Sequence, residues 1–224
     1  MKNYSLYLVP GFLTDKTIYK EFLRDERFDC EVLEFLPPLD KDEVIEDYAK
    51  RMAQKIETDK KVVLLGTSFG GILSIEISKH VPVEKIIFIS SVKNRKELNP
   101  LMRIEKGSSL LDYVPSKMVR NTIKAGYSVG SKLFSNLKEI DDEDIEKMIN
   151  RVDGKLEKWI IKKIKNWKGE NQIQDFLHLH GDKDNIFPVK NIENFELIEG
   201  GNHNMILVKS QEIRDRVAKY LYDN

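Results

Sequence analysis

Ser68 sits at the centre of Gly66-Thr67-Ser68-Phe69-Gly70, a G-x-S-x-G pattern that Gly71 extends. The apolar run 62–65 before it reads as a buried strand, and Ile72, Leu73, Ile75 and Ile77 after it recur as they would on a helix. A serine at so sharp a strand-to-helix turn stands clear of the chain. The free N–H groups and positive dipole end of the helix lie beside its hydroxyl. That placement suits a nucleophile. The plainer use of a serine here is a helix N-cap; the flanking glycines, which let the chain bend tightly, favour the nucleophile.

A serine hydroxyl needs a base to take its proton and an acid to orient that base. The chain has four histidines. His80 ends the helix that follows Ser68. His178 and His180 alternate along a strand, so they share a face and point to sheet packing. Only His203 lies in a glycine-rich loop, Gly200-Gly201-Asn202-His203, and it is the candidate base. The acid lies in Gly181-Asp182-Lys183-Asp184, where both aspartates are candidates; Asp182 is suited to capping the turn.

These residues must be brought together by the elements around them. Strands are expected at 4–9, 31–36, 62–65, 85–90, 176–180 and 194–199. Helices are expected between them: one capped by Asp15 with Ile18, Tyr19, Phe22 and Leu23 on a face, and one starting at Asp42 with Val44, Tyr48, Met52 and Ile56. A terminal helix carries Ile213, Val217 and Leu221. Alternating strands and helices predict a parallel sheet between helical layers, with ligands bound beyond the carboxyl ends of the strands. The loops carrying Pro10, Ser68, Asp184 and His203 all follow strands, so all fall on that one edge.

The span 92–171 breaks the alternation. No strand pattern occurs there. Met118, Ile123, Tyr127, Leu133, Phe134 and Leu137 recur at helix-like intervals, with Gly126 and Gly130 as breaks. Asp141 can cap a helix carrying Ile145, Met148, Ile149 and Val152, and Trp159, Ile160, Ile164 and Trp167 form a stripe on another. The span is expected to be a helical lid.

The strand, the G-x-S-x-G turn and the helix resemble the nucleophile elbow of the α/β-hydrolase family. The chain order Ser68, Asp184, His203 is also that family's order, and the resemblance covers nearly all of the chain outside 92–171. In the family the acid sits in a G-x-x-D loop with a proline shortly after; Gly181, Asp184 and Pro188 fit that spacing and imply Asp184 as the acid. The resemblance also implies an oxyanion hole made by the backbone N–H groups of Phe12 and Phe69. Pro10-Gly11 stands where many relatives have His-Gly, a change that leaves a backbone donor intact. The strand at 4–9 comes first here, so the two that precede it in the family are expected to be absent, leaving about six strands, all parallel.

The activity implied is hydrolysis of a carboxylic ester or thioester through an acyl-enzyme on Ser68, with no cofactor and no metal. Two other readings share the fold: a non-catalytic ligand-binding protein and a non-hydrolytic enzyme. His178-x-His180-x-Asp182-x-Asp184 superficially resembles a metal-binding run but lacks the closing histidine of the binuclear metallohydrolase pattern.

Composition narrows the partners. With 224 residues, 1–224 reads as one domain carrying the 92–171 insertion. Net charge is zero, which argues against a nucleic-acid partner. One cysteine, Cys30, excludes an internal disulfide and suits a reducing compartment. The apolar run 6–9 is too short for a signal peptide or membrane span, so a cytoplasmic location is expected. From 93 to 170 there are 18 Lys and Arg against 12 Asp and Glu. Such a basic block could steer an anionic acyl carrier bearing the substrate.

Overall fold

The computed structural model describes residues 3–103, 142–151, 153–169 and 175–223. Six strands form one sheet: β1 (Tyr4–Val9), β2 (Cys30–Val32), β3 (Lys61–Thr67), β4 (Lys85–Ile89), β5 (Phe176–Gly181) and β6 (Glu196–Ile198). Their order is β2-β1-β3-β4-β5-β6, and every pair is parallel. The register aligns Val9 with Gly66, Thr67 with Ile89 and Gly181 with Ile198, so the carboxyl ends form one edge. The chain leaves β1 toward β2 and then crosses back to place β3 on the other side. The strand order therefore reverses between β1 and β3, where ligands enter folds of this kind.

The helices are α1 (Lys20–Arg24), α2 (Ile45–Ala53), α3 (Phe69–Ile77), α4 (Asp142–Arg151), α5 (Gly154–Asn166), α6 (Met205–Val208) and α7 (Ser210–Tyr222) among the described residues. Alternation along β3 assigns them to two layers. Val62 and Leu64 pack with Tyr48 and Met52 of α2, Ile72 of α3 and Trp159 of α5. Val63 and Leu65 face the opposite layer, with Phe22, Met148, Met205, Ile213 and Leu221 from α1, α4, α6 and α7. A strand buried on both faces needs the unbroken apolar run this one carries.

Several boundaries differ from expectation. β2 stops at Val32 rather than residue 36: Leu33 N–H still bonds Leu8 O, but Glu34 N–H turns back to Val32 O. β6 is shorter because Asn194 has φ 48° and Gly200 φ 69°, both outside strand geometry. α2 begins at Ile45, not Asp42, and Val44 is exposed. Asp40 Oδ1 instead accepts from Asp42 and Glu43 N–H, which closes a turn ahead of the helix. Asp15 caps a 3-10 turn, Lys16–Tyr19, that leads into α1. α3 ends at Ile77, three residues before His80.

In the span 92–171 the described residues hold two 3-10 turns, Arg95–Glu97 and Pro100–Arg103, and helices α4 and α5. α5 is docked by Trp159, whose Nε1–H donates to Glu43 O and whose ring lies 4.4 Å from that of Tyr48. Met118, Ile123, Gly126, Tyr127, Gly130, Leu133, Phe134, Leu137, Asp141 and Val152 lie outside the described residues. No helix among the described residues is long and apolar enough to cross a membrane.

Two close approaches fix the start of α3. A Cβ on Gly70 would lie 2.0 Å from Val9 O, so the turn is pressed against the end of β1. A Cβ on Gly71 would lie 2.1 Å from Ser91 Oγ, so the same turn meets the residues after β4. Gly70→Ala should lower stability by about 2 kcal/mol or more in urea unfolding, because the obstacle is backbone. Gly154→Ala, whose Cβ would meet nothing within 4 Å, should not lower it.

Candidate active site

Ser68 links β3 to α3 with φ 54° and ψ −121°. Its backbone N–H donates to Ile89 O at 3.0 Å, and its carbonyl accepts from Ser91 Oγ at 2.7 Å. The side chain makes no helix-capping hydrogen bond. The hydroxyl instead lies 2.9 Å from His203 Nε2. His203 Nδ1 lies 2.9 Å from Asp184 Oδ2. A carboxylate only accepts, so the proton on Nδ1 faces Asp184 and the lone pair on Nε2 faces Ser68.

Asp184 is buried after β5 and is oriented twice over. Its Oδ1 accepts from the backbone N–H groups of Ile186 and Phe187, both at 2.9 Å. Asp182 is exposed and accepts from Gly200 N–H at 2.6 Å. Of the two expected candidates, only Asp184 reaches the histidine, while Asp182 closes the turn. Lys183 N–H donates to Gly201 O at 2.9 Å, which ties the acid's loop to the histidine's loop. The Phe187 ring meets the His203 ring edge-on, 5.4 Å between centroids.

The loop after β1 lies against the elbow. A Cβ on Gly11 would come within 3.2 Å of Ser68 Cβ. Thr14 Oγ1 donates to Gly11 O at 2.9 Å, and Leu13 is held at φ 59°. Among the described residues, neither the Phe12 nor the Phe69 N–H has a hydrogen-bond acceptor. Phe69 N–H opens α3, where the first N–H groups have no partner inside the helix. Neither donor is taken up within the described residues. Among the described residues, no group of three or more His, Cys, Asp or Glu side chains is arranged to hold a metal.

No protein-family model matches the chain, and comparison with curated proteins gives no significant match. Solved structures do match. MenH from S. aureus superposes with a TM-score of 0.65 at 19% identity, over 100% of this chain and 95% of that one. A hydrolase from Oleispira antarctica gives 0.68 at 17%, over 100% and 93%. A thermophilic esterase from Thermogutta terrifontis gives 0.65 at 16%, over 99% and 90%.

The chain has the α/β-hydrolase fold.

Within the α/β-hydrolase fold seen here, two supports of the site were missed in sequence reasoning. Tyr19 carries its hydroxyl to Val9 O at 2.7 Å and Thr67 Oγ1 at 2.9 Å, joining the ends of β1 and β3 on either side of the strand reversal. Ser91 holds the Ser68 carbonyl. Ser91 follows an expected strand end and Tyr19 lies on an expected helix face, but nothing in their spacing marks them out.

Burial pushes the Asp184 carboxyl up, yet the charge and hydrogen bond of His203, with His180 and Phe187 N–H, hold it below the usual aspartate value. A carboxyl whose folded pKa is depressed contributes stability above its unfolded pKa and loses it as pH falls through the folded one. The stability of wild type relative to Asp184→Asn should therefore be greatest at neutral pH and shrink below about pH 4, as read by urea unfolding across that range.

Proposed function

We propose that this protein is a serine hydrolase that cleaves a carboxylic ester or thioester through an acyl-enzyme on Ser68. The observation that carries the reading is His203 bonded through both ring nitrogens, to Ser68 Oγ and Asp184 Oδ2, at 2.9 Å each. Structural neighbours named as esterases and hydrolases agree with it.

In this mechanism Ser68 Oγ attacks the substrate carbonyl carbon while its proton passes to His203 Nε2. The oxyanion is received by the N–H groups of Phe12 and Phe69. Asp184 stays ionised and stabilises the imidazolium. When the tetrahedral adduct collapses, the C–O or C–S bond breaks and the leaving alcohol or thiol takes the proton from His203. Water then attacks the acyl carbon, giving its proton to Nε2, and the acid departs as Ser68 recovers a proton. No cofactor or metal enters these steps.

The substrate is a small acyl ester or thioester, with no membrane or nucleic-acid partner. The basic span 93–170 suits an anionic acyl carrier as the vehicle. The helices α4 and α5 belong to a lid, 92–171, on the single domain 1–224. A cytoplasmic location fits the lone Cys30. If the carrier is real, added salt should slow hydrolysis of a carrier-linked thioester more than that of a free ester; equal responses would remove the carrier from the proposal.

A fluorophosphonate probe should label wild type at Ser68. Ser68→Ala should neither label nor turn over p-nitrophenyl butyrate, and His203→Ala should lose about six orders of magnitude in kcat. Turnover surviving in Ser68→Ala would overturn the reading.

A further inference from the structure

Behind Asp184 a buried chain of polar side chains continues away from Ser68. His180 Nε2 lies 2.8 Å from Phe187 O and 3.6 Å from Asp184 Oδ2. His180 Nδ1 lies 3.2 Å from His178 Nε2, and His178 Nδ1 lies 2.7 Å from Lys93 Nζ. Lys93 Nζ also reaches Glu97 Oε1 at 2.8 Å and Glu193 O at 2.6 Å. The ammonium thus has an acceptor for each of its three protons. Glu97 is equally well held, since it also accepts from the N–H groups of Lys93 and Glu193. Both histidines are buried, with the Phe195 ring against each and the Ser91 backbone beside His178.

The direction of this chain is set at one end. An ammonium only donates, so His178 Nδ1 must be the bare nitrogen and its proton must sit on Nε2. His178 Nε2–H then donates to His180 Nδ1, which places the His180 proton on Nε2. That N–H donates to Phe187 O and faces Asp184. The Phe187 N–H in turn donates to Asp184 Oδ1. Burial, then the Lys93 charge, keeps His178 well below the ordinary histidine range. Burial keeps His180 below it too, against the pull of Asp184. Both rings are therefore neutral and carry one proton each, as the relay requires.

We infer that His178 and His180 are positioning residues, a one-way hydrogen-bond relay from Lys93 that fixes Asp184 and, through it, the orientation of His203. The inference rests on the serine-hydrolase reading of Ser68, Asp184 and His203. If the His180 proton moved to Nδ1, Phe187 O would lose its donor and Asp184 would face a bare nitrogen. The carboxylate would then turn, and His203 would lose the partner that aims Nε2 at Ser68.

Long-range 1H–15N NMR of wild-type protein at neutral pH tests this directly. His178 and His180 should both appear as Nε2–H tautomers and His203 as the Nδ1–H tautomer; His180 protonated on Nδ1 would overturn the relay. Kinetics on p-nitrophenyl butyrate give a second reading. His180→Phe should lower kcat about tenfold or more with KM unchanged, and should move the downfield His203 Nδ1–H resonance. His180→Gln, whose amide places a donor near the Nε2 position, should recover most of the lost kcat. A folded His180→Phe with wild-type kcat and an unmoved resonance would also overturn the relay. If His180→Phe does not fold, the wild-type tautomers and the Gln variant still decide. Wild-type protein that resists fluorophosphonate labelling would instead defeat the hydrolase reading, with the tautomer result standing apart.

Discussion

Ser68 occupies φ 54°, a conformation that costs a non-glycine residue about 1–3 kcal/mol and survives only where the surroundings over-determine it. The surroundings here are two backbone carbonyls and one hydroxyl. Val9 O closes on Gly70, Ile89 O takes the Ser68 N–H, and Ser91 Oγ takes its carbonyl. Each of these contacts comes from the carboxyl end of β1 or β4, the neighbours of β3. The turn can be held only if the three strands end level, and the parallel register supplies that alignment. The strand reversal between β1 and β3 falls beside Ser68, between the loop that carries Phe12 and the first residue of α3.

The remaining partners arrive by the same logic. β5 and β6 extend the sheet in the other direction, and their carboxyl-end loops bring Asp184 and His203 back to the edge. Buried charges need partners. Asp184 has His203 and backbone N–H groups, and Lys93 has Glu97 and the His178 ring. Neutral His178 and His180 lie between these two charged groups, so a buried polar path runs along one face of the sheet without an unmatched ion. Disturbing one end of such a path changes the hydrogen-bond choices available at the other.

Much of this was legible from residue types. An apolar run before G-x-S-x-G gave the strand and the sharp turn into a helix at Ser68. Alternation of strands and helices predicted the parallel six-stranded sheet. The position of His203 in a glycine-rich loop separated it from His178 and His180 without any structure. The edge strands were less legible. β2 and β6 end where Glu34 turns back and where Asn194 adopts a left-handed conformation, events decided by single local hydrogen bonds and φ values. The relay was not legible at all. His178 and His180 do pack within the sheet, as their alternation implied, but their link to Asp184 depends on Lys93 arriving from 85 residues away in the chain. Pairwise spacing carries no record of such contacts.

Trapping a covalent acyl intermediate on Ser68 separates a serine hydrolase from the other uses of this fold. Wild-type protein mixed with p-nitrophenyl butyrate, quenched in acid within the first turnover and digested, should yield a peptide containing Ser68 that carries one butyryl group. Nitrophenol should be released in a burst when deacylation is slow. Turnover of the ester with no butyryl group on Ser68, or with the group on another residue, would contradict the account.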